Sequence, residues 1–291
     1  MKNQLKTILL LGVLSALLIA IGGALGTTYL YLFAAISLVM NLGAYFYSDR
    51  IVLRMHHARE VTPTEAPGLH RMVADLARRA EIPMPRVFII PDEQPNAFAT
   101  GRNPAHGGVA VPAGILSLLD ERELRGVLAH ELGHVKNRDV LLSTIAAATA
   151  SMITYAAHAV GYSALFGGGD DEDGPGGGIL LALLAPFAAM LIQLGISRSR
   201  EFHADETGAR IAGDTDGLAR ALLKLEHGAR VIPPATAQPA TASLFIVNPL
   251  AGGASLTKLF STHPPTEARV ARLRELRLED SPPRALRRRM A

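Results

Sequence analysis

The chain of 291 residues contains no cysteine and no tryptophan. Without thiols it has neither a disulfide framework nor a thiolate ligand. Any bound metal must therefore be held by imidazole and carboxylate, and the composition suits a reducing compartment. Positive charge is missing from two long stretches: no Lys or Arg lies between Lys6 and Arg50, or between Arg138 and Arg198. The net charge is only +3, from 29 basic and 26 acidic residues, which lacks the basic excess that a nucleic-acid partner requires. No internal repeat is present.

The stretches without basic residues are the apolar ones. Residues Thr7 to Leu25 and Thr28 to Tyr47 are each long enough to cross a hydrocarbon core, and Gly26-Thr27 joins them, so they read as a transmembrane hairpin. A cleaved leader is the alternative for the first, but a second span follows at once and no convincing cleavage site intervenes. Two further apolar segments run from about Leu141 to Phe166 and from Ile179 to Ile196. The first is rich in Ala, Ser and Thr and contains His158, which suits packing between helices. Lys2 and Lys6 precede the first span, and Arg50 and Arg54 follow the second. By the positive-inside rule both termini and the domain from Arg50 to Arg138 are cytoplasmic, and the acidic, glycine-rich connection Gly167 to Gly178 is an external linker. A basic cluster from Arg284 to Arg289 suits anionic headgroups as well as solvent.

Ala129-His130-Glu131-Leu132-Gly133-His134 carries the chemistry. On a helix, imidazoles four residues apart share a face and can hold one Zn²⁺, with Glu131 beside the open coordination position to act as a base. A helix is expected there: Asp120 followed by Glu123 forms a capping-box pattern, and Leu124, Val127, Leu128, Leu132 and Val135 recur at helical spacing. Gly133 lowers helix propensity, and its small size would let another backbone approach the metal.

Such a site needs a third protein ligand. Glu201 and Asp205 are also four apart, so Glu201 can bind the metal while Asp205 orients a ligating imidazole. A charged surface paired with Arg198 and Arg200 is the plainer reading of that pair. His203 is a rival ligand, but two residues from Glu201 it points to another side of the helix.

These residues together resemble a known family. His130-Glu131-Leu132-Gly133-His134 with Lys136-Asn137-Arg138-Asp139, then Ser197-Arg198 leading to Glu201-Phe202-His203-Ala204-Asp205, and finally Ser261-Thr262-His263-Pro264-Pro265 look like the HtpX-like membrane-bound zinc metalloproteases. The wider family also contains the CAAX prenyl proteases. The resemblance spans nearly the whole chain. It implies one Zn²⁺ held by His130, His134 and Glu201, with Glu131 as general base and Asp205 supporting a histidine ligand. His263 and Arg269 are similar to a downstream pair near the active site of the prenyl protease branch, where they would be placed to donate to a developing oxyanion; a turn before the last helix is their plainer role.

The expected fold is an α-helical membrane protein with an α+β zincin-type (gluzincin) metalloprotease domain and about four hydrophobic helices. Residues 1–50 form the transmembrane hairpin and 51–139 a cytoplasmic half with the motif helix. Residues 140–197 form the second hydrophobic pair, and 198–291 a cytoplasmic half with the third ligand and a C-terminal helix. Within the second unit, Thr64 to Glu81 reads as an amphipathic helix, and Arg86 to Ile90, Asn96 to Thr100 and Gly107 to Val111 as strands. Beyond Glu201 a helix runs through Leu218 to His227, a Pro, Ala and Thr-rich loop covers Val231 to Ser243, and Arg269 to Leu278 is the last helix. His56, His57, His70, His106 and His227 lack ligand spacing.

The function expected is peptide-bond hydrolysis at the cytoplasmic face of a bacterial inner membrane, on protein or peptide substrates. Quality control of damaged membrane proteins is implied by the resemblance. A CAAX-type processing protease and a non-catalytic zinc-containing scaffold are the alternatives. Cleavage inside the bilayer is disfavoured, because charged residues flank the motif on both sides.

Overall fold

A helix that exposes apolar side chains all along its length needs a nonaqueous surrounding, and the first long helix does this. The computed structural model describes residues 26–146, 198–231, 244–247 and 264–278, with residues 11, 12, 15, 16, 19 and 23 before them. Helix α1 (Thr27–Met55) has 29 residues, about 43 Å at 1.5 Å per residue, against a hydrocarbon core of roughly 30 Å. Tyr31, Leu32, Leu38, Val39 and Phe46 are exposed on it. Among the described residues it is the one helix long and apolar enough to cross a membrane. Gly26, whose φ of 122° suits glycine, caps its start. Asn41 on α1 donates to Ser15 Oγ at 2.6 Å, which brings the preceding segment alongside. The rest of the first span, nearly all of the third and the whole of the fourth lie outside the described residues, as do His158, the glycine-rich connection, the 232–243 loop and the 284–289 cluster.

The helix runs on past Tyr47, where the apolar pattern ends, and its last two turns enter the domain. Val52 and Leu53 pack with Phe88, Ile90, Phe98 and Phe245, and Asp49 accepts from Arg86 at 3.0 Å. His56, just past its end, packs against the rings of Phe98 and Phe245, which also touch each other.

Among the described residues four strands follow: β1 (Arg59–Glu60), β2 (Arg86–Ile90), β3 (Phe98–Thr100) and β4 (Gly108–Pro112), in the order β1-β2-β4-β3. The β2 and β4 pair is parallel and the two outer pairs antiparallel, so among the described residues β3 lies at an edge. Strand β1 carries no periodicity signal, being two residues long. The third strand begins at Phe98 instead of Asn96, because Asn96 and Ala97 bond to residues 246 and 247 instead of to β4.

Helix α2 (Pro67–Ala80) covers the sheet with Leu69, Val73 and Leu76. It starts after a turn in which Glu65 accepts from the Thr62 backbone at 2.7 Å, and Pro67 opens it. A short helix α3 (Ala113–Leu118) leads into α4 (Glu121–Asn137), where both bonds of the Asp120 and Glu123 capping box are present. Helices α5 (Arg198–Ala212), α6 (Asp216–Val231) and α7 (Thr266–Glu275) complete the domain. Leu128 and Leu132 of α4, Ala209 of α5 and Leu218, Leu222 and Leu225 of α6 share one core with the sheet and α2.

Helices α4 and α5 run antiparallel in close contact. A Cβ on Gly208 would lie 2.7 Å from both Cα and N of His130, and one on Gly133 would meet the Ala204 carbonyl oxygen at 3.1 Å. The sequence expectation that Gly133 admits another backbone is met, and Gly208 is the tighter half of the crossing. The Gly208→Ala variant must push α5 off α4 because backbone cannot yield locally. We expect it to cost about 1–3 kcal/mol in chemical unfolding in detergent, and Gly133→Ala to cost less; equal or reversed losses would contradict this packing.

Candidate metal centre

The two helices bring three ligand atoms together. His130 Nε2 and His134 Nε2 are 3.2 Å apart. Glu201 Oε2 lies 3.9 Å from the first, and Oε1 lies 3.6 Å from the second. A tetrahedral zinc with bonds of 2.0–2.2 Å places its ligand atoms roughly 3.3–3.6 Å from one another, so the trio closes on such an ion with shifts of a few tenths of an ångström. Among the described residues these three are the group of side chains that could hold a metal ion. His203, the rival, is exposed.

The far nitrogen of each imidazole is held by a carboxylate, which leaves Nε2 free to face the metal. His130 Nδ1 is 2.9 Å from Asp205 Oδ1. Asp205 is in turn gripped by Arg269, whose Nε and Nη2 donate to its two oxygens at 2.8 and 2.6 Å. His134 Nδ1 is 3.3 Å from Asp139 Oδ2. Arg138 ends α4 in the left-handed region, at φ 58°, and this reversal returns the Asp139 backbone N–H to the His134 carbonyl at 3.0 Å.

Burial would raise the Asp205 carboxyl, but the Arg269 guanidinium holds it down at about 2. Burial pushes His130 down to about 4. For His134 the burial penalty is outweighed by the Glu201 and Asp139 carboxylates, and it rises to about 9. Glu131 is 2% exposed, and burial lifts its carboxyl to about 8 against the pull of His134. Its Oε2 accepts the Ala99 N–H of edge strand β3 at 2.7 Å. A carboxylate beside the ligand atoms, held by one backbone N–H, is placed to exchange a proton with a water in this pocket.

These groups line one pocket with Ala99, Val140, Ser143 and the segment Leu244, Phe245 and Ile246. Its free interior is about 20 Å³, room for a water or an ion.

The structure moves Arg269 from its expected place. It was expected near a developing oxyanion, but its guanidinium is 1% exposed behind His130 and is engaged with Asp205 and the Ile246 carbonyl. His263 lies outside the described residues. Asp139 was not singled out from sequence; a carboxylate just past the helix end, five residues after a ligand histidine, was the available signal. Arg200 is buried beside Asp139 and Glu201, and its guanidinium nitrogens have no hydrogen-bond partner among the described residues.

Two imidazoles, a carboxylate and a buried glutamate beside them define a metalloprotease site. The chain belongs to peptidase family M48, whose model matches residues 63–277. It is 57% identical over 277 residues to a protein named Protease HtpX homolog from Pelotomaculum thermopropionicum, a match covering 93% of this chain and 98% of that one. It is 53% identical over 283 residues to the Protease HtpX homolog of Burkholderia thailandensis, covering 95% and 98%. Among solved structures it is similar to the crystal structure of S. mikatae Ste24p, with a TM-score of 0.47 and 20% identity. That match covers 84% of this chain, which spans 57% of the other's length.

Removing the guanidinium from Arg269 leaves a buried carboxylate unpaired. Arg269→Met is expected to lose about 3–5 kcal/mol in thermal unfolding, and Arg269→Lys, which keeps the charge but not the fork, to lose less. A loss under about 1 kcal/mol in Arg269→Met would place the pair in solvent.

Proposed function

We propose that this metalloprotease is a membrane-anchored zinc endopeptidase with its site on the cytoplasmic side of a bacterial inner membrane. The observation that carries this reading is the convergence of His130, His134 and Glu201 at ligand spacing with Glu131 buried beside them. Zinc suits the donor set of two imidazoles and one carboxylate, and supplies Lewis acidity together with a lowered pKa for water.

Glu131 takes a proton from the attacking water and returns it to the leaving amine. The Ala99 N–H holds the glutamate so that it meets the water on the side of strand β3. An extended peptide added along that edge strand would lie across Glu131, with backbone hydrogen bonds providing affinity that asks little of sequence. Asp205 and Asp139 keep both ligand imidazoles turned with Nε2 toward the metal. Donation to the oxyanion falls to His263, while Arg269 acts through Asp205.

The four-span arrangement and the cytoplasmic orientation rest on the charge-free stretches and the lysines and arginines at their ends. The exposed apolar face of α1 supports the second of these spans alone. Lipid is thus a partner of α1, and damaged membrane proteins are the proposed substrates.

The purified protein in detergent, offered an unfolded protein, tests the chemistry. Glu131→Gln should bind one zinc per chain as wild type does and cleave nothing, whereas Glu201→Ala should lose zinc stoichiometry. Cleavage by Glu131→Gln contradicts the mechanism, and undiminished zinc in Glu201→Ala removes that residue from the ligand set.

A further inference from the structure

Asn96 stands just before edge strand β3 and is wholly buried. A buried amide is costly unless its donors and acceptor are satisfied, and this one is engaged by a segment far away in sequence. Its Nδ2 donates to the Val247 carbonyl at 2.8 Å. Its Oδ1 accepts from the N–H of Ile246 at 3.1 Å and of Val247 at 3.4 Å, and from the neighbouring Ala97 N–H at 3.1 Å. The Ile246 N–H also reaches the Ala97 carbonyl at 3.3 Å. The side chain thus substitutes for strand backbone and clamps residues 246 and 247 to the start of β3.

The clamped segment does two things. Its Leu244, Phe245 and Ile246 form a wall of the metal pocket. Its Ile246 carbonyl accepts from Arg269 Nη1 at 2.6 Å, and the same guanidinium grips both oxygens of Asp205 at 2.8 and 2.6 Å. Asp205 holds His130 Nδ1 at 2.9 Å. A guanidinium is planar and its donors are fixed relative to one another. Where Ile246 sits therefore sets the plane of the fork, the fork sets Asp205, and Asp205 sets the imidazole.

We propose that Asn96 is a positioning residue for the metal site, holding the pocket wall at 244–247 and, through Ile246, Arg269 and Asp205, the orientation of His130. The wall and the metal ligand then move as one unit.

The inference rests on His130 being a ligand, and the test separates the two claims. Zinc affinity is measured on the full chain in detergent by competition with a chromophoric chelator, for Asn96→Ala, Asn96→Asp, Asp205→Asn and each Asn96 variant combined with Asp205→Asn. Asp205→Asn alone should weaken zinc binding on the order of 10–100-fold; no change there overturns the ligand reading itself. Asn96→Ala should weaken it roughly 10-fold in the wild-type background and less than about 2-fold once Asp205 is asparagine, because the route is already cut. Asn96→Asp keeps the acceptor but sets a carboxylate oxygen against the Val247 carbonyl, so it too should weaken zinc binding in the wild-type background. It carries the same comparison if the alanine variant does not fold. Unchanged zinc affinity in both Asn96 variants, or equal losses in the two backgrounds, overturns the proposal and reduces Asn96 to a fold-stabilising residue.

Discussion

A carboxylate on α5 reaches two imidazoles on α4 because no side chain stands between the helices where they cross. Gly208 rides on the backbone of His130, and Gly133 faces the carbonyl of Ala204. A methyl group on Gly208 would have to move backbone. With the axes this close, Glu201 and Asp205, one turn apart, meet opposite ends of the His130 ring: Glu201 lies on the Nε2 side and Asp205 on Nδ1. The i, i+4 pairing on each helix thus becomes a single ligand set with its own support.

The site is built from buried charges, and each is costly alone. Arg269, Asp205 and Glu131 are all nearly inaccessible. Asp205 stays ionised because the Arg269 fork lies against it, which removes most of the penalty that burial imposes on an isolated carboxylate. For Glu131 burial outweighs the His134 imidazole, the Ala99 N–H and the more distant Arg269, with Glu201 adding to it, so its carboxyl rises. The same low-dielectric environment therefore leaves one carboxyl depressed and the other raised. Their different partners decide which role each takes.

Local features of this architecture were legible in the sequence, and contacts distant along the chain were not. The capping box at Asp120 and Glu123, the motif helix and the strand Arg86–Ile90 all follow from near neighbours. The Glu201 and Asp205 pair was readable because both face one side of a turn. Asp139 was missed because its position depends on a left-handed residue at the end of α4, which Arg138 does not announce. The start of β3 was placed two residues early for a similar reason: Asn96 and Ala97 bond to 246 and 247, some 150 residues on. Arg269 was read either as an oxyanion donor or as part of a turn before the last helix; its bond to Ile246 was not legible, because Ile246 lies in an apolar run with no pattern to mark it.

The central claim is a metal held by two imidazoles and one carboxylate at the crossing of α4 and α5. X-ray absorption spectroscopy of the zinc-loaded protein measures that directly. The predicted spectrum shows nitrogen and oxygen neighbours only, at about 2.0–2.2 Å, with the outer-ring scattering of two histidines, and His134→Ala shows one. A first shell of six oxygens without imidazole scattering, or a spectrum unchanged in His134→Ala, would contradict it.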